Sequence, residues 1–156
     1  MDTFFQDGTR LLTAHAFDFV LDSELKRAVR SQSFLTLVVV EARREWDGLT
    51  MDADDGTVSE VARIVGHEVR DTDLLGSMQN GRMLLVLLDA DDESSRRIID
   101  RLVQRIDHYD FTAPLHISLG AACYPTHAVD ADSLKARAQS RPVVSWRGGP
   151  AAERRH

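Results

Sequence analysis

The residues whose types and spacing best suit ligand binding are an arginine and an aspartate three positions apart, Arg70 and Asp73. A guanidinium can donate two parallel hydrogen bonds to a phosphate or to the edge of a base, and a carboxylate can accept from neighbouring N–H groups. The same spacing recurs at Arg44–Asp47 and Arg97–Asp100, so spacing alone carries little information. By default, such a pair is interpreted as an exposed ion pair that contributes little to the stability of the fold. The position of the pair in the fold must distinguish one copy from the others.

Other chemistry-bearing residues give weaker signals. Cys123 lies in an apolar run and is typical of a packed core cysteine. The histidines lack metal-ligand spacing; they are His15, His67, His108, His116, His127 and His156. One helix-like segment carries a series of arginines that suits either a solvated face or a rim for an anionic ligand: Arg96, Arg97, Arg101 and Arg105.

The first half of the chain predicts two helices around a buried strand. Apolar residues recur every three or four positions from Thr13 to about Arg30, with Thr13 as N-cap. The β-branched run Phe34–Val40 predicts a central strand. The polar segment Arg43–Asp55 predicts a loop, and the capping-box pattern Thr57–Glu60 predicts the start of the second helix.

The second half predicts the rest of a sheet. A short strand around Leu74–Leu75 and the run Met83–Leu88 flank Asn80–Gly81, a dipeptide typical of a type I′ hairpin turn. Acidic residues from Asp91 predict the start of a third helix. Leu115–Tyr124 predicts a strand, followed by a short helix over Asp130–Ala138 and an edge strand over Val143–Trp146. The central order is βαββαβ, which predicts an α/β (α+β) fold with a ferredoxin-like core, a central antiparallel sheet flanked by helices.

Composition restricts the function classes. The chain has 156 residues, a formal net charge of −6 and one cysteine. We expect one domain over 13–146, an N-terminal lead-in over 1–12 and a flexible tail over 147–156. The acidic balance argues against nucleic-acid binding, and no apolar run is long enough to insert in a membrane. We therefore expect a soluble, cytoplasmic protein.

Several segments at consistent spacing resemble one family, the GGDEF domains of bacterial diguanylate cyclases, whose fold is a nucleotide-cyclase-like palm. The resemblance runs from about Thr13 to Trp146. It rests on Leu25–Arg30 before a strand ending in Glu41, on Val61–Ile64 before Arg70–Leu74, and on Ile117–Pro125 before Ala131–Leu134.

The family signature, Gly-Gly-(Asp/Glu)-Glu-Phe at a hairpin tip, is absent. The matching positions hold Gln79, Asn80, Gly81, Arg82 and Met83. In the family these acidic residues bind Mg²⁺ and help to activate the 3′-hydroxyl, so the resemblance implies that Arg82 occupies a metal-binding position. The next acidic position of the family falls on Arg43, although Glu41 keeps one carboxylate. We therefore expect no catalytic residues, no Mg²⁺ or other cofactor, and no cyclase activity.

A second family site is retained in sequence. Active members are inhibited by cyclic di-GMP at an Arg-x-x-Asp motif five residues before the signature, and Arg70–Asp73 has that position. The resemblance further implies an arginine on the helix after the hairpin, matched by Arg101. It also implies that a second domain contributes an arginine from its first helix. That arginine lies 14 positions before the first metal carboxylate, and Arg27 stands 14 positions before Glu41.

The sequence therefore favours an inactive domain that acts as a cyclic di-GMP receptor through Arg70, Asp73 and Arg101, with Arg27 of a second copy. Signalling would use a ligand-bridged homodimer or a regulatory protein partner. The main alternative is a nucleotide-independent protein-interaction module. A third hypothesis is residual cyclase activity that uses Glu41 and Asp55.

Overall fold

The computed structural model describes residues 11–77 and 81–149 of the chain. Its elements, in chain order, are α1 (Ala14–Ser31), β1 (Leu35–Trp46), β2 (Leu49–Asp52), α2 (Asp55–Glu68), β3 (Leu74–Ser77), β4 (Arg82–Leu88), α3 (Asp92–Asp107), β5 (Leu115–Tyr124), α4 (Ala131–Ser140) and β6 (Pro142–Gly148). The predicted α/β class and the βαββαβ core are confirmed.

The sheet is antiparallel, with the strand order β3-β4-β1-β5-β6. β1 is the central strand because its first half is almost entirely apolar and is buried on both faces. One core contains Val38 and Val40 of β1 with residues of α2 and α3. The other core contains Leu37 and Val39 with residues of α1 and α4. The two helix pairs therefore cover opposite faces of the sheet.

Short polar side chains begin each helix. Thr13 accepts a hydrogen bond from the backbone N–H of Ala16 at the start of α1, as predicted. Asp91 caps α3, and Asp130 caps α4 in the same way. These caps satisfy N–H groups that have no partner within the first helical turn.

The predicted loop over Arg43–Asp55 is wrong. β1 continues to Trp46, turns at Asp47 and Gly48, and pairs with β2 to form a hairpin. Asp47 and Gly48 have φ values of 51° and 82°, which suit the turn that joins two adjacent strands. α2 also begins earlier than the Thr57–Glu60 pattern predicted, because Asp54 accepts from the N–H of Thr57 and acts as N-cap.

The domain boundaries need two adjustments. In the lead-in, Leu12 is buried and joins β3 through the bonds Leu12 N–H to Leu75 O and Ser77 N–H to Leu12 O. β6 runs to Gly148, so the segment predicted as a tail from Arg147 starts inside a strand. Residues 1–10, 78–80 and 150–156 lie outside the described residues. Within the described part, no helix is both long and apolar enough to cross a bilayer.

Candidate functional site

Arg70 and Asp73 are brought together at the edge of the sheet where β3 begins and β4 ends. Arg70 Nε lies 3.3 Å from Asp73 Oδ2, and Arg70 Nη2 lies 3.2 Å from Asp73 Oδ1. The two-point contact holds the guanidinium plane in one orientation. The Arg70 side chain remains 54% exposed.

Asp73 is buried, and its carboxylate accepts several hydrogen bonds. Its side chain has 0% exposure. Besides Arg70, its carboxylate accepts hydrogen bonds from the backbone N–H groups of Arg70 and Leu88, over 3.2 Å and 3.1 Å. Arg70 also donates from Nη2 to the carbonyl of Leu88 over 2.5 Å. Asp73 therefore ties the turn before β3 to the end of β4 and fixes the position of Arg70.

Arg27 lies near the same edge in the same chain. Its side chain is 68% exposed, and its Nη1 is 3.7 Å from Glu24 Oε1. Arg27 also lines a narrow cleft with Leu88, the residue whose carbonyl accepts from Arg70. Arg27 and Arg70 thus both lie near Leu88 at the end of β4, which sequence spacing did not predict.

Arg101 lies on the exposed face of α3. One helical turn later, Arg105 pairs with Glu68 at 2.5 Å, which joins α3 to the C-terminal end of α2 just before Arg70. Among the described residues, Arg101 itself has no ion-pair partner. Arg101 is therefore an accessible cation on the helix that packs beside the Arg70 turn.

The other two Arg-x-x-Asp copies differ from Arg70–Asp73 in their surroundings. Arg97 pairs with Glu93 on the surface of α3, and not with Asp100. Arg44 and Asp47 belong to the β1–β2 hairpin, where Asp47 forms the turn. Within the described chain, the Arg70 copy combines a two-point arginine contact with a buried carboxylate.

The residues that the sequence resemblance matches to catalytic positions, Glu41 and Arg82, lie at the other end of β4. Arg82 and Glu41 are directly opposite in the pairing of β4 with β1, and Arg82 Nε donates to Glu41 Oε2 over 2.7 Å. On the same face, Arg43 Nη1 lies 3.1 Å from Asp52 Oδ1 of β2. Glu41 and Asp52 at this end thus each face an arginine.

The rest of this face is also charged. Arg147 Nε lies 3.0 Å from Glu45 Oε1, without the alignment of a hydrogen bond. His116 Nε2 and Ser145 Oγ are 2.7 Å apart. Sequence reasoning missed these pairs because they join β1, β5 and β6, and their register follows only from the assembled sheet.

A small cavity lies beside Glu41 and Arg82. They line a cavity of about 70 Å³ together with Ser118, Gly120 and Pro142. Sites for drug-sized ligands usually have about 300–1,000 Å³. The C-terminal turn of α4 closes this region, since a Cβ added at Gly120 would lie 2.0 Å from the carbonyl of Ala138. In the described chain, no group of three His, Cys, Asp or Glu residues is arranged to bind a metal.

Comparisons with known proteins identify the fold. Neither a protein-family model nor a curated protein sequence matches the chain. Among solved structures, the FimX GGDEF domain from Pseudomonas aeruginosa has a TM-score of 0.74 at 15% identity, covering 90% of this chain and 91% of that one. The GGDEF domain of DgcB from Caulobacter crescentus, solved in complex with c-di-GMP, has a TM-score of 0.71 at 15% identity, with coverage of 90% and 88%. A DGC protein from Thermotoga maritima has a TM-score of 0.71 at 16% identity, with coverage of 86% and 98%. The chain therefore has the fold of a GGDEF domain.

Proposed function

We propose that this protein is a catalytically inactive GGDEF-like domain that binds cyclic di-GMP through Arg70. The observation that carries the proposal is the half-exposed Arg70 side chain, whose guanidinium the buried Asp73 holds in a fixed orientation at the sheet edge. Fixing a cation before binding lowers the entropy lost when it forms hydrogen bonds to a ligand.

The lack of cyclase activity follows from the charge beside Glu41. A Mg²⁺ site needs oxygen ligands and excess negative charge. Here the guanidinium of Arg82 lies 2.7 Å from Glu41 Oε2, where it neutralises that carboxylate and would repel a divalent cation. These residues do not fit Mg²⁺.

For Asp73 we propose a supporting role in place of the direct ligand contact expected from the sequence. A buried carboxylate that already accepts from Arg70 and Leu88 is a positioning group. We propose that Arg70, Arg101 and Arg27 of a second copy supply the hydrogen bonds and positive charge for the guanine edges and phosphates. Asp73 would contact guanine directly only by giving up one of its present partners.

Calorimetric titration with cyclic di-GMP tests the proposal. We expect saturable binding to the wild type and at least about tenfold weaker binding to Arg70→Ala, because a charge-assisted hydrogen bond is lost. The matched control is Arg97→Ala, which removes the arginine of another Arg-x-x-Asp copy and should leave affinity unchanged. Absence of binding to the wild type, or equal affinity of the Arg70 and Arg97 variants, would contradict the receptor function.

Two further measurements separate the remaining hypotheses. Light scattering with and without cyclic di-GMP tests the ligand-bridged homodimer, and Arg27→Ala should weaken only the ligand-dependent dimer. Incubation with GTP and Mg²⁺ tests residual cyclase activity through Glu41 and Asp55. Formation of cyclic di-GMP in that assay would disprove the proposed inactivity.

The alternative, a protein-interaction module without nucleotide, is favoured by the β1–β2 hairpin. Trp46 and Leu49 face each other in its register and are 67% and 69% exposed, and Met51 on the same side is 42% exposed. Large exposed apolar side chains of this kind are typical of protein interfaces. A module would retain partner binding in Arg70→Ala and lose it in Trp46→Ala.

A further inference from the structure

The outer face of α1 carries a stripe in which two exposed apolar side chains enclose two charged ones. Phe19 and Val29 are 70% and 55% exposed, and Asp22 and Lys26 lie between them. The spacing of these four residues is three, four and three, as in the a and d positions of a heptad repeat. The opposite side of the helix is buried in the sheet core through Phe17, Leu21, Leu25 and Ala28.

The stripe is symmetric about its centre. Phe19 and Val29 are equidistant in sequence from Glu24, and so are Asp22 and Lys26. If a second α1 is laid alongside in the opposite direction with Glu24 at the centre, Phe19 faces Val29 of the second copy. In the same register, Asp22 faces Lys26 of the second copy. Both the apolar contacts and the charges are then complementary.

A parallel arrangement lacks this complementarity. Parallel packing in register would place Asp22 opposite Asp22 and Lys26 opposite Lys26, and facing like charges are destabilising. We infer that α1 is a self-association surface, on which a second copy of this chain packs antiparallel about Glu24, independently of any nucleotide.

The charged side chains within the stripe are free to make this contact. Lys26 Nζ lies 3.1 Å from Asp22 Oδ2 in the same helix, with both side chains more than half exposed. Each can therefore turn towards the second copy at little cost in solvation. Asp18, which precedes Phe19, is already paired with Lys135 of α4.

The expected dimer is weak. A helix of 18 residues is about 27 Å long. Contact along one such helix buries less than the roughly 1,200 Å² typical of stable complexes. We therefore expect a dimer that forms reversibly as protein concentration rises.

Charge reversal tests the contact in the full chain without nucleotide. By analytical ultracentrifugation, Asp22→Lys and Lys26→Asp should each weaken the dimer about tenfold, because each change creates two repulsive contacts across the symmetry axis. The double variant Asp22→Lys/Lys26→Asp should restore the affinity. The matched control is Glu93→Lys on α3, which reverses one charge of another exposed pair four residues apart, at 3.0 Å, and should leave association unchanged.

Cysteine pairing tests the direction of the helices. In the proposed register, the double variant Phe19→Cys/Val29→Cys should form intermolecular disulfides on oxidation. The single variant Phe19→Cys should not, since the two copies of position 19 would be about 15 Å apart along the axis, too far for a disulfide.

Three outcomes would overturn the inference. The first is a wild type that stays monomeric at every concentration. The second is an equal effect of Asp22→Lys and Glu93→Lys on association. The third is efficient crosslinking of Phe19→Cys alone, which would indicate a parallel pair. Circular dichroism of each variant would verify that the helices are intact.

Discussion

Arg82 of β4 and Glu41 of β1 lie directly opposite each other, and the arginine donates from Nε to Glu41 Oε2 over 2.7 Å. Each side chain is partly exposed, at 39% for Arg82 and 24% for Glu41. The pair therefore contributes little to stability, but it places a positive charge beside the Glu41 carboxylate. The proposed inactivity rests largely on this one arginine of β4.

Replacing that arginine should create metal dependence. We expect the midpoint of thermal unfolding of the wild type to be insensitive to Mg²⁺. Arg82→Glu should gain a few degrees on addition of Mg²⁺, because two facing carboxylates can share a divalent cation. The control Arg97→Glu adds the same charge change on α3 and should give no such gain. Equal stabilisation of the wild type by Mg²⁺ would contradict our interpretation of the Arg82–Glu41 pair.

Removing the buried carboxylate should destabilise the fold. Asp73→Ala leaves the N–H groups of Arg70 and Leu88 without their acceptor. We expect a loss of about 2 kcal/mol in the free energy of unfolding, below the value for a fully buried ion pair because Arg70 is half exposed. Urea unfolding measures this loss. Asp100→Ala, in another Arg-x-x-Asp copy, should be nearly neutral, and a similar loss there would refute the special role of Asp73.

The start of β4 requires a glycine. Gly81 has a φ of 74°, and a Cβ added there would lie 2.6 Å from the carbonyl of Ala42. We expect Gly81→Ala to lower the free energy of unfolding by about 1–3 kcal/mol. Gly56→Ala in α2 is the comparison, since its Cβ would have ordinary contact at 3.7 Å and alanine favours helix. A loss in Gly56→Ala as large as that in Gly81→Ala would show that the steric argument is incorrect.

Acid should weaken the loop that follows β5. Burial, with a further contribution from the nearby Arg141, lowers the pKa of His127 below the ordinary histidine value of about 6.5. His127 Nδ1 accepts from the N–H of Cys123 over 2.9 Å, which requires that nitrogen to be unprotonated. Since the unfolded chain binds the proton more readily, the contribution of this group is complete above about pH 6.5 and is lost as the pH falls towards the lower folded pKa.

The variant His127→Asn provides the measurement for this effect. Its amide oxygen can accept from Cys123 but does not titrate in this range. We expect the unfolding free energy of His127→Asn to vary less than that of the wild type between about pH 7 and about pH 5. Identical pH profiles would argue against a titrating role for His127.

Local signals in the sequence determined most of the fold. The apolar periodicity of α1, the cap at Thr13 and the apolar run of β5 act within a few residues, so the chain itself specifies them. The β1–β2 hairpin was missed because its strands are polar and exposed, and such strands lack the alternation that marks a half-buried strand. The start of α2 was misplaced because the capping-box pattern pointed to Thr57, whereas Asp54 accepts from the N–H of Thr57 and caps the helix.

What the sequence by itself determined about the site is which residue types occur at which spacing: Arg70 three positions before Asp73, and an arginine where the family has an acid. Only the tertiary structure decided their roles. It buried Asp73 beneath Arg70 and Leu88, placed Arg27 beside the same edge, and set Arg82 against Glu41. The physical reason is that hydrogen bonding and burial depend on strand register and on the neighbours across the sheet, which are far away in sequence.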